Sequence, residues 1–296
     1  MRDSVKRDLM KPLELLAQLL VFETGFCIVK EGILGDGITA AKLVEYCTPS
    51  YWFVFVYIAL YLVSPYINLV WAKLDGSGKK TLLAVMLGLF SVYPLIIEIC
   101  KYHNAENSSF LLGTSTVGLE GAQAGYTIVN FVLMYLIGCL LRDREEQIAG
   151  LSAGKLILLL LLNIGAIFAW ARIEQAISGR PILATTAINY ENPLVITEAV
   201  LFFLLFRRLD LGSSKIINGL AAASFPSYLI HMNLLEYFGI EQAVKGNPAL
   251  LALHIVGVTA AVYLISFVIC TVYQQTFGRL LRMLSGHWKN HRFISV

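Results

Sequence analysis

Residues 51–68 read YWFVFVYIALYLVSPYIN. The stretch is apolar enough for a bilayer, yet it carries four tyrosines, a serine and an asparagine. On a helix, at 100° per residue, Tyr57, Tyr61, Ser64 and Asn68 fall within about 60° of one another. A membrane-spanning helix with a polar stripe is the reading that fits both facts. The whole chain supports it: of 296 residues 57% are apolar and 15% charged, with a mean hydropathy of +0.69. Soluble domains average about 25% charged residues, so this chain cannot cover a globular surface. A net charge of +3 gives no reason to expect a nucleic-acid partner. The five cysteines show neither CxxC nor metal-ligand spacing, and an odd, scattered set argues against a disulfide framework.

Working outward, runs of about 17 to 25 apolar residues give eight candidate spans: 12–29, 50–71, 81–100, 126–141, 155–171, 192–206, 217–240 and 249–273. With both termini cytoplasmic, the inner segments hold 17 of the 23 basic residues and the outer loops 6. Every inner segment has at least three, and no outer loop has more than two, as the positive-inside rule requires. The expected fold is therefore all-α: a polytopic membrane protein of about eight transmembrane helices, both termini cytoplasmic. Three long outer loops are expected at 30–49, 101–125 and 172–191, with the Gly-rich GTSTVGLEGAQAG (113–125) irregular. The basic tail HWKNHRFISV reads as an inner-leaflet anchor.

Depth follows from a rise of about 1.5 Å per residue. Glu23, Tyr57, Asn130, Glu198, His231 and His254, on six helices, fall about 6–14 Å below the outer ends. An ionisable group within a span costs about 2.5–3.5 kcal/mol on insertion scales and tends to face a cavity or a partner. A polar cavity open to the outside is one reading of this layer. Hydrogen bonding between neighbouring helices is the other. The motifs of soluble enzymes, GxSxG, HExxH, GxxxxGK[ST] and GxGxxG, are all missing. His287 and His291, four apart in the basic tail, are a weak metal pair, and His103 falls in an outer loop. His231, in FPSYLIHMN, shares a helix face with Tyr228, one turn earlier, behind Pro226. It can exchange a proton, hydrogen-bond a ligand, or simply tie two helices. On these grounds transporter and membrane-embedded enzyme stand level.

Three stretches add a resemblance. YWFVFVYIALYLVSPYIN, FVLMYLIGCLLR (131–142) and NPLVITEAVLFFLLFRRLDLGSSKIINGLAAASFPSYLIHMN (192–233) keep the order and spacing of signatures of the acyltransferase-3 family, integral-membrane bacterial acyltransferases. The resemblance marks Trp52, Tyr57, Tyr61, Pro65, Asn68, Tyr135, Gly138, Asn192, Phe225, Tyr228 and His231, most of them as fold-defining. Together with the polar layer it suggests Tyr57, Tyr61, Asn68, Glu198, Tyr228 and His231 as substrate-binding, with Tyr57 and His231 lining the acceptor site. It implies acetyl-CoA as a cytoplasmic acyl donor, no bound cofactor or metal, a surface glycan as acceptor, and a multi-pass place in a bacterial plasma membrane.

The chain also departs from the family. The essential pair of such proteins is an arginine followed eleven positions later by a histidine. Eleven positions before His103, His231, His254, His287 and His291 stand Val92, Leu220, Ala243, Thr276 and Leu280. The family's ten spans less its first two make eight, so residues 1–296 are expected to be a single acyltransferase-3-like domain, incomplete at its N-terminus. Catalytic residues are then unknown within the chain. Activity is expected to be weak or nil alone, unless a partner chain supplies the missing helices. The rival readings are a non-catalytic fragment or partner subunit, and a transporter of glycan or small solutes.

Overall fold

The computed structural model describes residues 6–48, 51–103, 113–118, 121–179, 181, 185–209, 212, 214–239, 247–287 and 293–295. In chain order the helices are α1 (Met10–Cys27, extended by a π-helical turn, Ile28–Ile33), α2 (Ala40–Cys47) and α3 (Trp52–Lys73). Next come α4 (Gly76–Leu87), a π-helical turn (Gly88–Val92) and α5 (Tyr93–His103). They are followed by α6 (Ile128–Asp143), α7 (Glu145–Ala149), α8 (Ala153–Ser178) and α9 (Pro193–Phe206). The last are α10 (Lys215–Ala222), α11 (Ser224–Leu235), α12 (Pro248–Gln275) and α13 (Phe277–His287). Two three-residue strands, β1 (Lys6–Asp8) and β2 (Phe293–Ser295), pair antiparallel with Lys6 opposite Ser295.

The fold is all-α, and six stretches among the described residues are long and apolar enough to cross a membrane: Met10–Ile33, Trp52–Lys73, Gly76–His103, Ala153–Ser178, Thr186–Phe206 and Pro248–Leu281. The other two expected spans are shorter helices. The 126–141 run forms α6, of 16 residues, about 24 Å long. The 217–240 run is divided: α10 has 8 residues and α11 has 12, with a turn at Ala223 between them. Pro226 accounts for that turn, because proline has no N–H to give the carbonyl four residues back, and its ring crowds that carbonyl. The long loops also differ in detail from expectation. Part of 30–49 is helical (α2), and α8 runs on to Ser178, where Gly179 ends it in a left-handed conformation. The described part of 113–125 is irregular apart from a 3-10 turn at Gln123–Gly125.

The residues divide into two compact units, Met1–Val54 with Leu211–Val296, and Phe55–Asp210. In the first, α11 and α12 pack together and α1 touches α11 and α13. Phe22 meets Tyr273 edge-on at 5.3 Å between ring centroids. In the second, Trp71, Leu83, Leu133, Leu136, Cys139 and Ile196 form one core. Leu156 and Leu160 of α8 pack on Leu201 and Leu204 of α9 in another. In lipid such helices are joined by close packing and hydrogen bonds more than by water exclusion. Asn163 Nδ2 supplies one bond, donating to the Leu194 carbonyl at 2.9 Å and tying α8 to α9.

Candidate functional site

On α3 the polar stripe is put to structural use. Pro65 lies inside the helix and is buried, so the Tyr61 carbonyl loses the N–H it would otherwise receive. Ser64 Oγ donates to that carbonyl at 2.9 Å, and side-chain hydroxyls are one of the means by which membrane helices tolerate proline. One turn on, Asn68 Oδ1 accepts from the Tyr135 hydroxyl at 3.0 Å, joining α3 to α6. Both residues carry the family resemblance, and they bond each other. Tyr57 is exposed and Tyr61 partly so. Glu198, on α9, is also half-buried, one turn after Leu194.

The first unit gathers two residues of the expected polar layer, Glu23 and His231, and Tyr228 of the family resemblance, around one the sequence did not single out, Tyr51. The Tyr51 hydroxyl donates to the Leu229 carbonyl of α11 and lies beside Glu23 of α1, a buried side chain. Its ring meets Tyr228 edge-on at 5.9 Å between centroids. Tyr228 in turn lies 5.9 Å from the His231 ring. His231 Nδ1 is 2.6 Å from the Tyr228 carbonyl. A carbonyl only accepts, so Nδ1 carries a proton and the neutral ring keeps its lone pair on Nε2. That nitrogen is able to accept a hydrogen bond or a proton from a hydroxyl. Nearer the end of α1, Lys30 pairs with Glu236 at 2.8 Å. Glu23 Oε1 and His254 Nε2 are buried polar atoms without a hydrogen-bond partner among the described residues.

In the second unit two asparagines from the sequence reading hold loops. Asn130 Nδ2 donates to the Gly125 and Tyr190 carbonyls at 3.2 and 3.3 Å. Asn192 caps α9 through the Leu194 N–H at 2.9 Å and donates from Nδ2 to the Thr186 carbonyl at 3.2 Å. Glycine is required at 125, where φ is +83° and a Cβ would collide with Tyr190 and Glu191. Around these loops stand three carboxylates that sequence reasoning passed over: Glu98, Glu174 and Glu191. Glu174 accepts from the Thr186 N–H and hydroxyl, both at 2.7 Å. Glu191 is fully buried and accepts from Asn189 Nδ2 at 2.9 Å. Their one visible signal is a charged side chain near the end of an apolar helix, or just before one.

The structure thus brings Asn68 to Tyr135, and Tyr228 to His231 with Glu23 and Tyr51 close by. Among the described residues no group of three or more side chains has the makings of a metal site. His291 lies outside the described residues, as does the His287 side chain. Compared with family models, residues 12–271 match acyltransferase-3, described as an acyltransferase domain. The chain belongs to that family. The match covers all three stretches that carried the resemblance, so this acyltransferase-3 protein is, in general terms, a membrane acyltransferase. No curated protein and no solved structure matches it. The Asn68–Tyr135 bond and the Asn192 cap are what several of its signature positions do in the fold.

Proposed function

We propose that this chain takes part in moving an acyl group, acetyl by preference, from acyl-CoA on the cytoplasmic side to a hydroxyl of an extracytoplasmic surface glycan. The family match over residues 12–271 carries the reading. The enzyme would lie in a bacterial plasma membrane with about eight crossings and both termini inside. The pairing of β1 with β2 supports an even number of crossings, because both ends of the chain must lie on one side to meet. The distribution of basic residues favours that side being the cytoplasm. Substrate contacts are proposed for each unit by itself: Tyr228 and His231 in the first, with Tyr51 and Glu23 nearby, and Tyr57, Tyr61, Asn68 and Glu198 in the second.

A glycan hydroxyl attacks a thioester slowly unless a base takes its proton. The arginine–histidine pair expected of the family is not among these 296 residues, so a further segment or a partner chain would have to supply it. That same observation favours a second reading, a non-catalytic partner subunit. Membranes carrying the chain, with and without a co-expressed helix bearing the pair, separate the two. Label moving from acetyl-CoA to glycan only when both are present supports the transferase. Transfer by the pair-bearing helix at the same rate without this chain would sink it.

A further inference from the structure

In the second unit, α5 and the loops around Gly125 and Thr186 border an open pocket of about 280 Å³. Glu98, Lys101, Tyr102, Thr185, Thr186 and Asn189 line it, together with Ala124. We propose that this cavity binds one uncharged sugar ring, a subsite of the glycan acceptor. The inference rests on the reading of the protein as a glycan-modifying transferase and places part of its acceptor recognition.

Size, chemistry and charge each narrow the ligand. Pockets for drug-sized ligands run to about 300–1,000 Å³, so this one suits a single ring and is too small for a whole coenzyme. Its wall offers a carboxylate, an ammonium group, three hydroxyls and an amide. Such a mixture of donors and acceptors suits a ring that carries a hydroxyl on most carbons, and it leaves an acyl chain without apolar partners. Glu98 and Lys101 are the two charged groups among the lining residues, and they stand 3.7 Å apart and balance each other. With that ammonium group paired, the wall has no unbalanced positive charge to hold a uronic acid, a sialic acid or a phosphate out of water.

The wall is also fixed before a ligand arrives. Glu174 holds Thr186 by two hydrogen bonds, and Asn192 holds its carbonyl. Asn189 is held by buried Glu191. Across the cavity, the Ala122 N–H donates to Glu98 at 3.3 Å. A Cβ at Gly121, where φ is +116°, would collide with Glu98 and Lys101. Gln123 and Ala124 sit at φ of 50° and 51°, a left-handed region that non-glycine residues occupy only where the surroundings hold them there. The Tyr190 N–H, donating to the Ala124 carbonyl at 2.9 Å, pins that turn to the facing loop. A rigid wall loses less on binding than one that must be ordered.

Saturation-transfer NMR on the full chain in nanodiscs, without acyl donor, tests the proposal. The probes are methyl β-glucoside, N-acetylglucosamine and glucuronic acid. The two neutral sugars should saturate and glucuronate should not. Asn189→Ala should reduce the neutral-sugar signal at least fivefold. Because Asn189 also holds Glu191, Lys101→Met is the second variant, expected to show the same loss with an unchanged unfolding midpoint. Failure of both neutral sugars to saturate, equal saturation by glucuronate, or full signal in two folded variants would each overturn it. Sugar binding with no acyl transfer in the complemented membranes would keep the subsite and remove the transferase reading. Transfer that ignores both substitutions would do the reverse.

Discussion

His231 shows how much one backbone contact decides. With Nδ1 committed to the Tyr228 carbonyl, the ring presents Nε2 as its remaining polar atom. Replacing His231 by alanine should lower acyl transfer in complemented membranes about tenfold, the equivalent of one hydrogen bond at roughly 1.4 kcal/mol. His231→Gln should recover part of it if the role is hydrogen bonding, and none if a proton is exchanged. Rates and unfolding midpoints of both variants, measured side by side, decide it. Asp143 gives a pH-dependent case, just past the apolar run of α6. The Lys79 ammonium donates to it at 2.7 Å and Trp71 Nε1 at 2.9 Å. The Lys79 hydrogen bond, helped by that from Trp71, holds the carboxyl below its ordinary value. A lowered pKa means that the stabilisation is whole above the unfolded value, about 3.9. It is lost as the pH falls through the folded one. Asp143→Asn should therefore lower the unfolding midpoint at pH 7, and the gap to the parent protein should close below about pH 4. A gap that persisted there would show that the ion pair contributes nothing.

At the level of elements, proline explains one of the two spans that differ from a count of apolar residues. The 217–240 run reads as one span because its composition does; Pro226 places a turn at Ala223 within it. Pro94 likewise follows the π-helical turn at Gly88–Val92, where Thr116 Oγ1 donates to the Leu89 carbonyl. On α3 the helix stays continuous through Pro65 and Ser64 meets the vacated carbonyl. Ser64→Ala should then cost about 1 kcal/mol. In a Pro65→Ala background the cost should shrink towards zero, since the new N–H reaches Tyr61. A double-mutant cycle with no coupling would refute this account. Six of the eight expected spans were legible because length and hydropathy alone mark them. The stripe on α3 was legible as a pattern, but its partners were not: periodicity says which face is polar, and only packing shows that Asn68 meets Tyr135. The carboxylates around Thr186 were harder still. They come from α5, α8 and the loop before α9, far apart in sequence, and no spacing rule connects them.

For the whole molecule, the topology is open to direct test. Cys47 is exposed, while Cys27, Cys139 and Cys270 are buried. In intact cells an impermeant maleimide should label Cys47 from outside. In a variant with Cys47 replaced by serine, a cysteine at Ser77 should react only after the membrane is opened. The reverse pattern would invert the assignment of sides. The chain supplies an acyltransferase-3 body but not the arginine–histidine pair. The most direct measurement is the rate at which labelled acetyl moves from acetyl-CoA to glycan in vesicles. This chain would be the sole acyltransferase-3 component, compared with vesicles that also hold a helix bearing the pair. Almost no transfer is expected from the chain alone, and a gain of at least a hundredfold with the pair-bearing helix, the lower range for a general base. Full transfer by the chain alone would contradict it.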